Sequence, residues 1–120
     1  EMTSSLVGSE MCIRDRLNMP LCVLVNGNSA SASEILAGAI KDRDAGTLVG
    51  EKTFGKGIVQ GFYGLGDDSY VKLTYASYYT PAGHNIHKKG IQPDVAVKDN
   101  ENTKTDEQLQ KAVEVLQNED

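Results

Sequence analysis

Residues 20–60 read PLCVLVNGNSASASEILAGAIKDRDAGTLVGEKTFGKGIVQ, and the fold turns on this stretch. Leu21 to Val25 is a continuous apolar run, the pattern of a strand covered on both faces. Asn26-Gly27-Asn28 breaks it with turn formers. A helical pattern follows from Ser31 or Ala32 to Asp42, with Ile35, Leu36, Ala39 and Ile40 on one stripe. Ala45-Gly46 is expected to end that helix, and Thr47-Leu48-Val49 to start another short strand. Strand, helix and strand in this order predict a crossover unit of an α/β core, a mixed sheet with crossover helices.

Working outward, Ile58 to Tyr63 and Ser69 to Tyr79 are strand candidates joined by a hairpin loop at Gly64-Leu65-Gly66-Asp67-Asp68. Val71, Leu73, Tyr75 and Tyr79 alternate along the second, which predicts one buried face. Pro81-Ala82-Gly83 turns the chain, and Asp94-Val95-Ala96-Val97 is a last short strand. The final helix is expected to open on a capping box of Thr105 and Gln108 and to bury Leu109, Ala112, Val113 and Leu116. Glu1 to Arg16 has neither a period-2 nor a period-3.6 apolar order. It also lacks the basic start and apolar core of a signal peptide.

With 120 residues, the chain has room for one small domain and a real core, but not for a second. A net charge of −5 supplies no basic stripe to neutralise phosphates, which argues against a nucleic-acid partner. No apolar run approaches the length of a membrane span. Cys22, inside an apolar strand pattern, reads as an inert core residue. Cys12 lies in the unpatterned lead-in, so no disulfide and no redox compartment follows.

The chemistry centres on serines at the start of a helix and a lysine between glycines. Ser31, three residues before Glu34 and ahead of an apolar helical pattern, reads on its own as a capping box. A helix N-terminus also offers unpaired N–H groups and a positive dipole end, which suit an oxyanion, with the Ala32 N–H as the first donor. Ser29, Ser31 and Ser33 compete as nucleophiles, and their chemistry does not rank them. Lys56, between Gly55 and Gly57, reads alone as a solvated turn residue. To act as a base, a lysine must be shielded from water so that its neutral form is populated. Gln60, four residues on, carries an amide oxygen that can accept a hydrogen bond from Lys56.

Three ordered motifs resemble the C-terminal processing (tail-specific) serine peptidases, which use a serine/lysine dyad. They are residues 28–35, NSASASEI; residues 50–60, GEKTFGKGIVQ; and residues 79–83, YTPAG, followed by GIQPD at 90–94. The resemblance runs from Leu17 to Leu116. It implies Ser31 as nucleophile, Lys56 as base and Gln60 as the residue that holds the lysine, with no metal and no cofactor. It implies a crotonase- and ClpP-like α/β core, present here in part over residues 17–98. Residues 99–120 are then a linker and a C-terminal helix. The implied substrates are polypeptides with unstructured or apolar C-terminal tails. The implied parent carries a PDZ domain, is membrane-associated and works outside the cytoplasm, in the bacterial periplasm or cell envelope. The family's second oxyanion donor has no counterpart in this sequence, so the polypeptide as written is expected to be weak or inactive. Residues 1–16 depart from the family pattern and are expected to be a foreign lead-in, a fusion or assembly artefact; a family-divergent lead-in is the alternative. Sequencing reads across the Arg16–Leu17 junction test this, and continuous coverage contradicts the artefact.

Other readings fare worse. Gly50 to Lys56 has P-loop spacing, but Gly57 stands where Ser or Thr should hold magnesium, and a strand pattern follows where a helix is required. The Ser-x-x-Lys spacing of penicillin-recognising enzymes fails because Leu36 lies three after Ser33. His84 and His87 have no third metal ligand beside them and read as solvated loop residues. Asp94, after Pro93, reads as a turn-fixing residue. A peptide-binding module of the same fold without turnover is the principal alternative. It leaves the co-occurrence of Ser31, Lys56 and Gln60 without a purpose. A crotonase-type acyl-CoA enzyme is disfavoured by the same three residues.

Overall fold

The structure, a computed structural model, describes residues 19–99 and 105–118. The lead-in at 1–16 and nearly all of the linker lie outside them. The elements are β1 (Cys22–Val25), α1 (Ala32–Asp42), β2 (Thr47–Gly50), β3 (Ile58–Gly64), β4 (Tyr70–Ser77), β5 (Val95–Ala96) and α2 (Glu107–Asn118). β1, β2 and β5 form a parallel sheet in the order β1-β2-β5. β3 and β4 pair antiparallel as a separate two-stranded sheet. The expected crossover unit is present, and parallel and antiparallel pairings are divided between two sheets.

β2 is the central strand, and its neighbouring side chains Leu48 and Val49 are both fully buried. On one face Leu48 packs with Val25, Ala37, Ile86 and Ile91, flanked by Val23 and Ile40. Val49 points to the other face by the alternation of the strand, and α2 packs on β1 and β2. Coverage of both faces is thus real for β2. It is incomplete for β1, an edge strand, where Leu24 remains 43% exposed.

α1 has the expected bounds but a different buried face. Ile35 and Leu36 are 44% and 61% exposed, and the helix buries Glu34, Ala37 and Gly38 instead. Small residues win because the loop carrying Thr80 and Ile91 lies very close. A Cβ on Gly38 would stand 2.9 Å from Thr80 Cγ2 and 3.2 Å from Ile91 Cδ1. The helix ends at Asp42, as expected. Asp44 takes a left-handed φ of 48°, and the Ala45 and Asp44 N–H groups donate to Ile40 and Lys41 carbonyls at 2.9 and 3.1 Å. This is a Schellman stop with Asp44 in the place usually held by glycine.

The hairpin β3–β4 corrects a second expectation. Leu73, Tyr75 and Tyr79 are exposed and only Val71 is half-buried, because no element among the described residues covers that face. The hairpin is shaped locally: Leu65 N–H donates to the Ser69 carbonyl at 2.9 Å, and Asp67 accepts from both the Ser69 N–H and its hydroxyl. At the C-terminal helix the cap comes from Asp106, whose Oδ1 accepts the Leu109 N–H at 2.8 Å. Gln108, expected in the capping box, is buried and donates instead to the Val97 carbonyl at 3.0 Å. Ala112 is buried while Leu109 and Val113 stay half open, so the expected stripe is only partly used.

Asp94 fixes the approach to β5, as its place after Pro93 suggested. It accepts the Lys41 ammonium and, at 2.9 Å, the Leu48 N–H, joining α1, β2 and β5. Burial raises the Asp94 carboxyl, but the Lys41 and Leu48 hydrogen bonds and the Lys41 charge outweigh it and leave the group below its usual range. A carboxyl lowered on folding adds stability above its unfolded pKa and loses that stability as pH falls through the folded value. Asp94→Asn is therefore expected to cost about 0.5–1 kcal/mol at neutral pH, since the pair is partly exposed. Urea titrations in steps downward from pH about 4, the unfolded carboxyl range, should show that deficit vanish. A deficit that persists unchanged in acid contradicts the assignment.

Candidate active site

The loop after β1 is set by its own polar residues. Asn26 Oδ1 accepts the Asn28 N–H at 2.9 Å, the Asn26 carbonyl accepts the Ser29 N–H at 2.9 Å, and Ser29 Oγ accepts the Asn26 N–H at 3.1 Å. The Ser29 hydroxyl is thus part of the turn. Its carbonyl accepts the Phe54 N–H at 3.0 Å, tying the loop to the segment before Lys56.

Ser31 follows with φ 57° and ψ −116°, a sparsely populated backbone for a residue with a Cβ. The Ser31 carbonyl already serves the helix, accepting Glu34 and Ile35 N–H groups at 2.9 and 3.1 Å. Ala32 is the first helical residue, and its N–H has no acceptor within the helix. An N–H at this end of a helix lies at the positive end of the helix dipole, which suits an anion.

The buried partner of this turn is Glu34, read from the sequence only as half of a cap. It is 0% exposed. Its Oε2 accepts the Ser31 N–H at 3.0 Å and the Lys56 N–H at 2.8 Å. Its Oε1 accepts the Thr53 hydroxyl at 2.6 Å and the Gly55 N–H at 2.7 Å. Four donors on two oxygens match the acceptor capacity of a carboxylate. Thr53 Oγ1 in turn accepts the Ile91 N–H at 2.7 Å, extending the network to the loop before β5. Sequence reasoning missed Thr53 altogether. The only local sign of this network was the Ser-x-x-Glu spacing, which a plain cap explains equally well.

The turn bearing Lys56 is clamped from several sides. The Gly55 and Gly57 carbonyls accept the Lys88 and Tyr78 N–H groups, each at 2.8 Å. Both glycines are required: Gly55 has φ +88°, and a Cβ on Gly57 would sit 2.6 Å from the His87 backbone nitrogen. Backbone approach of this kind is what glycine permits. The Lys56 side chain itself is exposed, so the expected burial of the base is not met among the described residues.

Ser31, Lys56 and Gln60 line one small depression of about 250 Å³. Ser29 and Ser33 are not among its lining residues. Gln60 Nε2 donates to Thr74 Oγ1 at 3.1 Å across the hairpin, which leaves the amide oxygen as the end able to accept from a lysine. Lys72 and Phe62 also line the depression; nothing in the local sequence singled them out. His84 and His87 lie outside it, and among the described residues no group of three or more acidic, histidine or cysteine side chains is placed to hold a metal. Asp42 braces the neighbouring loop: the Thr80 hydroxyl first, and the Ala82 N–H at 2.8 Å, hold its carboxyl below the usual range.

Removing one oxygen of Glu34 should expose how much rests on it. Glu34→Gln sets an amide N–H₂ against backbone donors and is expected to cost about 1–3 kcal/mol, read by chemical denaturation. A cost within about 0.5 kcal/mol, the usual range for a plain surface site, contradicts the network.

Comparisons with known proteins identify the relatives of this chain. Peptidase family S41 matches residues 3–97. A carboxyl-terminal-processing protease of Synechocystis is 58% identical over 78 residues, which is 65% of this chain and 18% of that protein. One from Picosynechococcus is 48% identical over 103 residues, 81% of this chain and 25% of that protein. Among solved structures, a photosystem II D1 C-terminal processing protease superposes with TM-score 0.64 at 53% identity, over 68% of this chain and 21% of the other. Mature CPAF, at TM-score 0.55 and 22% identity, shares the fold. The chain spans a quarter or less of the length of these relatives. A match over most of its residues, at high identity, places it: the chain belongs to peptidase family S41.

Proposed function

We propose that this span carries the serine/lysine dyad of an endopeptidase that cuts polypeptides near their C-terminal tails. The supporting observation is the joint placement of Ser31, Lys56 and Gln60 on one depression, with Glu34 gripping the backbone under both Ser31 and Lys56. In this reading Lys56 Nζ takes the proton from Ser31 Oγ as the oxygen attacks the substrate carbonyl carbon. The tetrahedral oxyanion is met by the Ala32 N–H. Collapse breaks the C–N bond, the leaving amine takes the proton from Lys56, and an acyl ester remains on Ser31. Water, deprotonated by Lys56, then attacks the ester and returns the proton to Ser31. Every proton is carried by residues of this chain, with no step assigned to a metal or cofactor.

Gln60 is the positioning residue in this scheme, held by Thr74 and presenting its amide oxygen to Lys56. Lys56 is exposed among the described residues. We therefore assign its cover, and the second oxyanion donor, to parts of the full-length protein outside this span, and regard the span alone as weak or inactive. The remaining features of the parent are proposed from the resemblance alone: a PDZ domain, association with a membrane, and an extracytoplasmic place of work.

The test is turnover of an unstructured protein with an apolar tail by the full-length peptidase carrying this span. Ser31→Ala and Lys56→Ala are each expected to lower kcat by a factor of about 10³ or more while leaving thermal stability nearly unchanged. Full activity in Ser31→Ala would overturn the nucleophile. Tight binding of the same protein without cleavage by the unaltered enzyme would favour the peptide-binding module instead.

A further inference from the structure

Lys72 is a charged residue of the Ser31 depression to which the proposed chemistry gives no task. It lies opposite Phe62 in the β3–β4 register, with its ammonium 5.4 Å from the centre of the Phe62 ring. Both residues line the depression with Ser31. Among the described residues no carboxylate lies within ion-pair distance of Lys72; the pairs found are Lys41–Asp94 and Lys111–Glu114. In an acidic chain of net charge −5, the residues lining this depression include two lysines and no acid, with the buried Glu34 carboxylate beneath them occupied by its own four donors.

The two lysines cannot share one role. A lysine acting as a base is uncharged when it takes the serine proton, so Lys56 offers no cation to a substrate at that moment. Lys72 is the charge that remains. Its long stem is directed by the contact with the Phe62 ring, which lowers the ordering cost of meeting an anion. Phe62 is widely exposed and, with Val59 and Tyr78, gives the depression apolar walls beside that charge.

We propose that Lys72 and Phe62 form a substrate subsite beside Ser31 that takes a carboxylate-bearing residue of the polypeptide. Lys72 meets the carboxylate and Phe62 packs on the residue's apolar part. The inference rests on the serine/lysine reading of the depression and adds a specificity determinant to it. Two sources supply the same chemistry: the α-carboxylate at the end of the substrate chain, or an Asp or Glu side chain near the cut.

Matched peptides separate these sources with the full-length peptidase. One pair ends in a free acid or an amide; the other carries Glu or Gln beside the scissile bond. The unaltered enzyme is expected to prefer the carboxylate member of at least one pair by about five- to tenfold in kcat/KM, with the difference in KM. Lys72→Met should bring that ratio to about 1, and Lys72→Arg should retain it. An acid-over-amide preference lost in Lys72→Met assigns the chain end, and a Glu-over-Gln preference lost there assigns the side chain. No preference in either pair, or one that survives Lys72→Met, overturns the subsite. Should that variant fold poorly, the unaltered enzyme gives an independent reading. Its preference must shrink as ionic strength rises from about 0.05 to about 0.5 M, and a salt-independent preference overturns the proposal. Ser31→Ala keeps the two claims apart: cleavage by that enzyme overturns the dyad, whereas an unaltered preference in Lys72→Met overturns the subsite alone.

Discussion

The Glu34 carboxylate is wholly buried and accepts from Ser31 and Lys56 on one oxygen and from Thr53 and Gly55 on the other. The two chemically interesting turns sit on separate segments, one at the start of α1 and one between β2 and β3. Among the described residues no ladder or core cluster joins them directly, and the Phe54 N–H bond to the Ser29 carbonyl ties them only at one remove. Glu34 joins them by offering each a charge-assisted acceptor in a buried site, where such bonds are strong and an unmade one is costly. A shift of either turn leaves a donor stranded. The relative position of Ser31 and Lys56 is therefore fixed through their backbones.

This arrangement also accounts for the backbone at Ser31. A non-glycine residue with φ 57° costs energy of order 1–3 kcal/mol and persists only where its surroundings over-determine it. Here the Ser31 N–H is taken by Glu34 and its carbonyl by the first turn of α1. Ser31 held in this way lines the depression. The Thr53–Ile91 link and the Asp94–Lys41 link attach the same framework to β5, so the site, the helix and the parallel sheet are one mechanical unit.

Much of this was legible in the sequence, for reasons that are local. The β1–α1–β2 crossover followed from an apolar run, a polar break and a helical period, and α1 has the bounds that this pattern implied. The hairpin followed from alternation around a glycine-rich loop. What escaped was the identity of buried faces. Ile35 and Leu36 look like core on a helical wheel, yet Ala37 and Gly38 take that place because the Thr80–Ile91 loop approaches too closely for larger side chains. Leu73 and Tyr75 alternate as if buried, but burial depends on a covering element that a strand's own sequence does not encode. At the site, the resemblance chose Ser31 among three serines, and the turn bonds of Ser29 give a physical reason to pass over it. Thr53 had no distinctive local pattern and Glu34 only the spacing of a plain cap, because the two meet across 19 residues of chain. The cover of Lys56 was expected and is not supplied by the described residues.

The most direct measurement of the account is labelling of the full-length peptidase with a serine-reactive fluorophosphonate, mapped by peptide mass spectrometry. The account predicts addition at Ser31. It further predicts labelling at least about tenfold slower in Glu34→Gln, at a temperature where circular dichroism shows that variant folded; tenfold corresponds to about 1.4 kcal/mol in the barrier. Addition at Ser29 or Ser33, or an unchanged rate at Ser31 in Glu34→Gln, would contradict the claim that one buried carboxylate sets the geometry of this site.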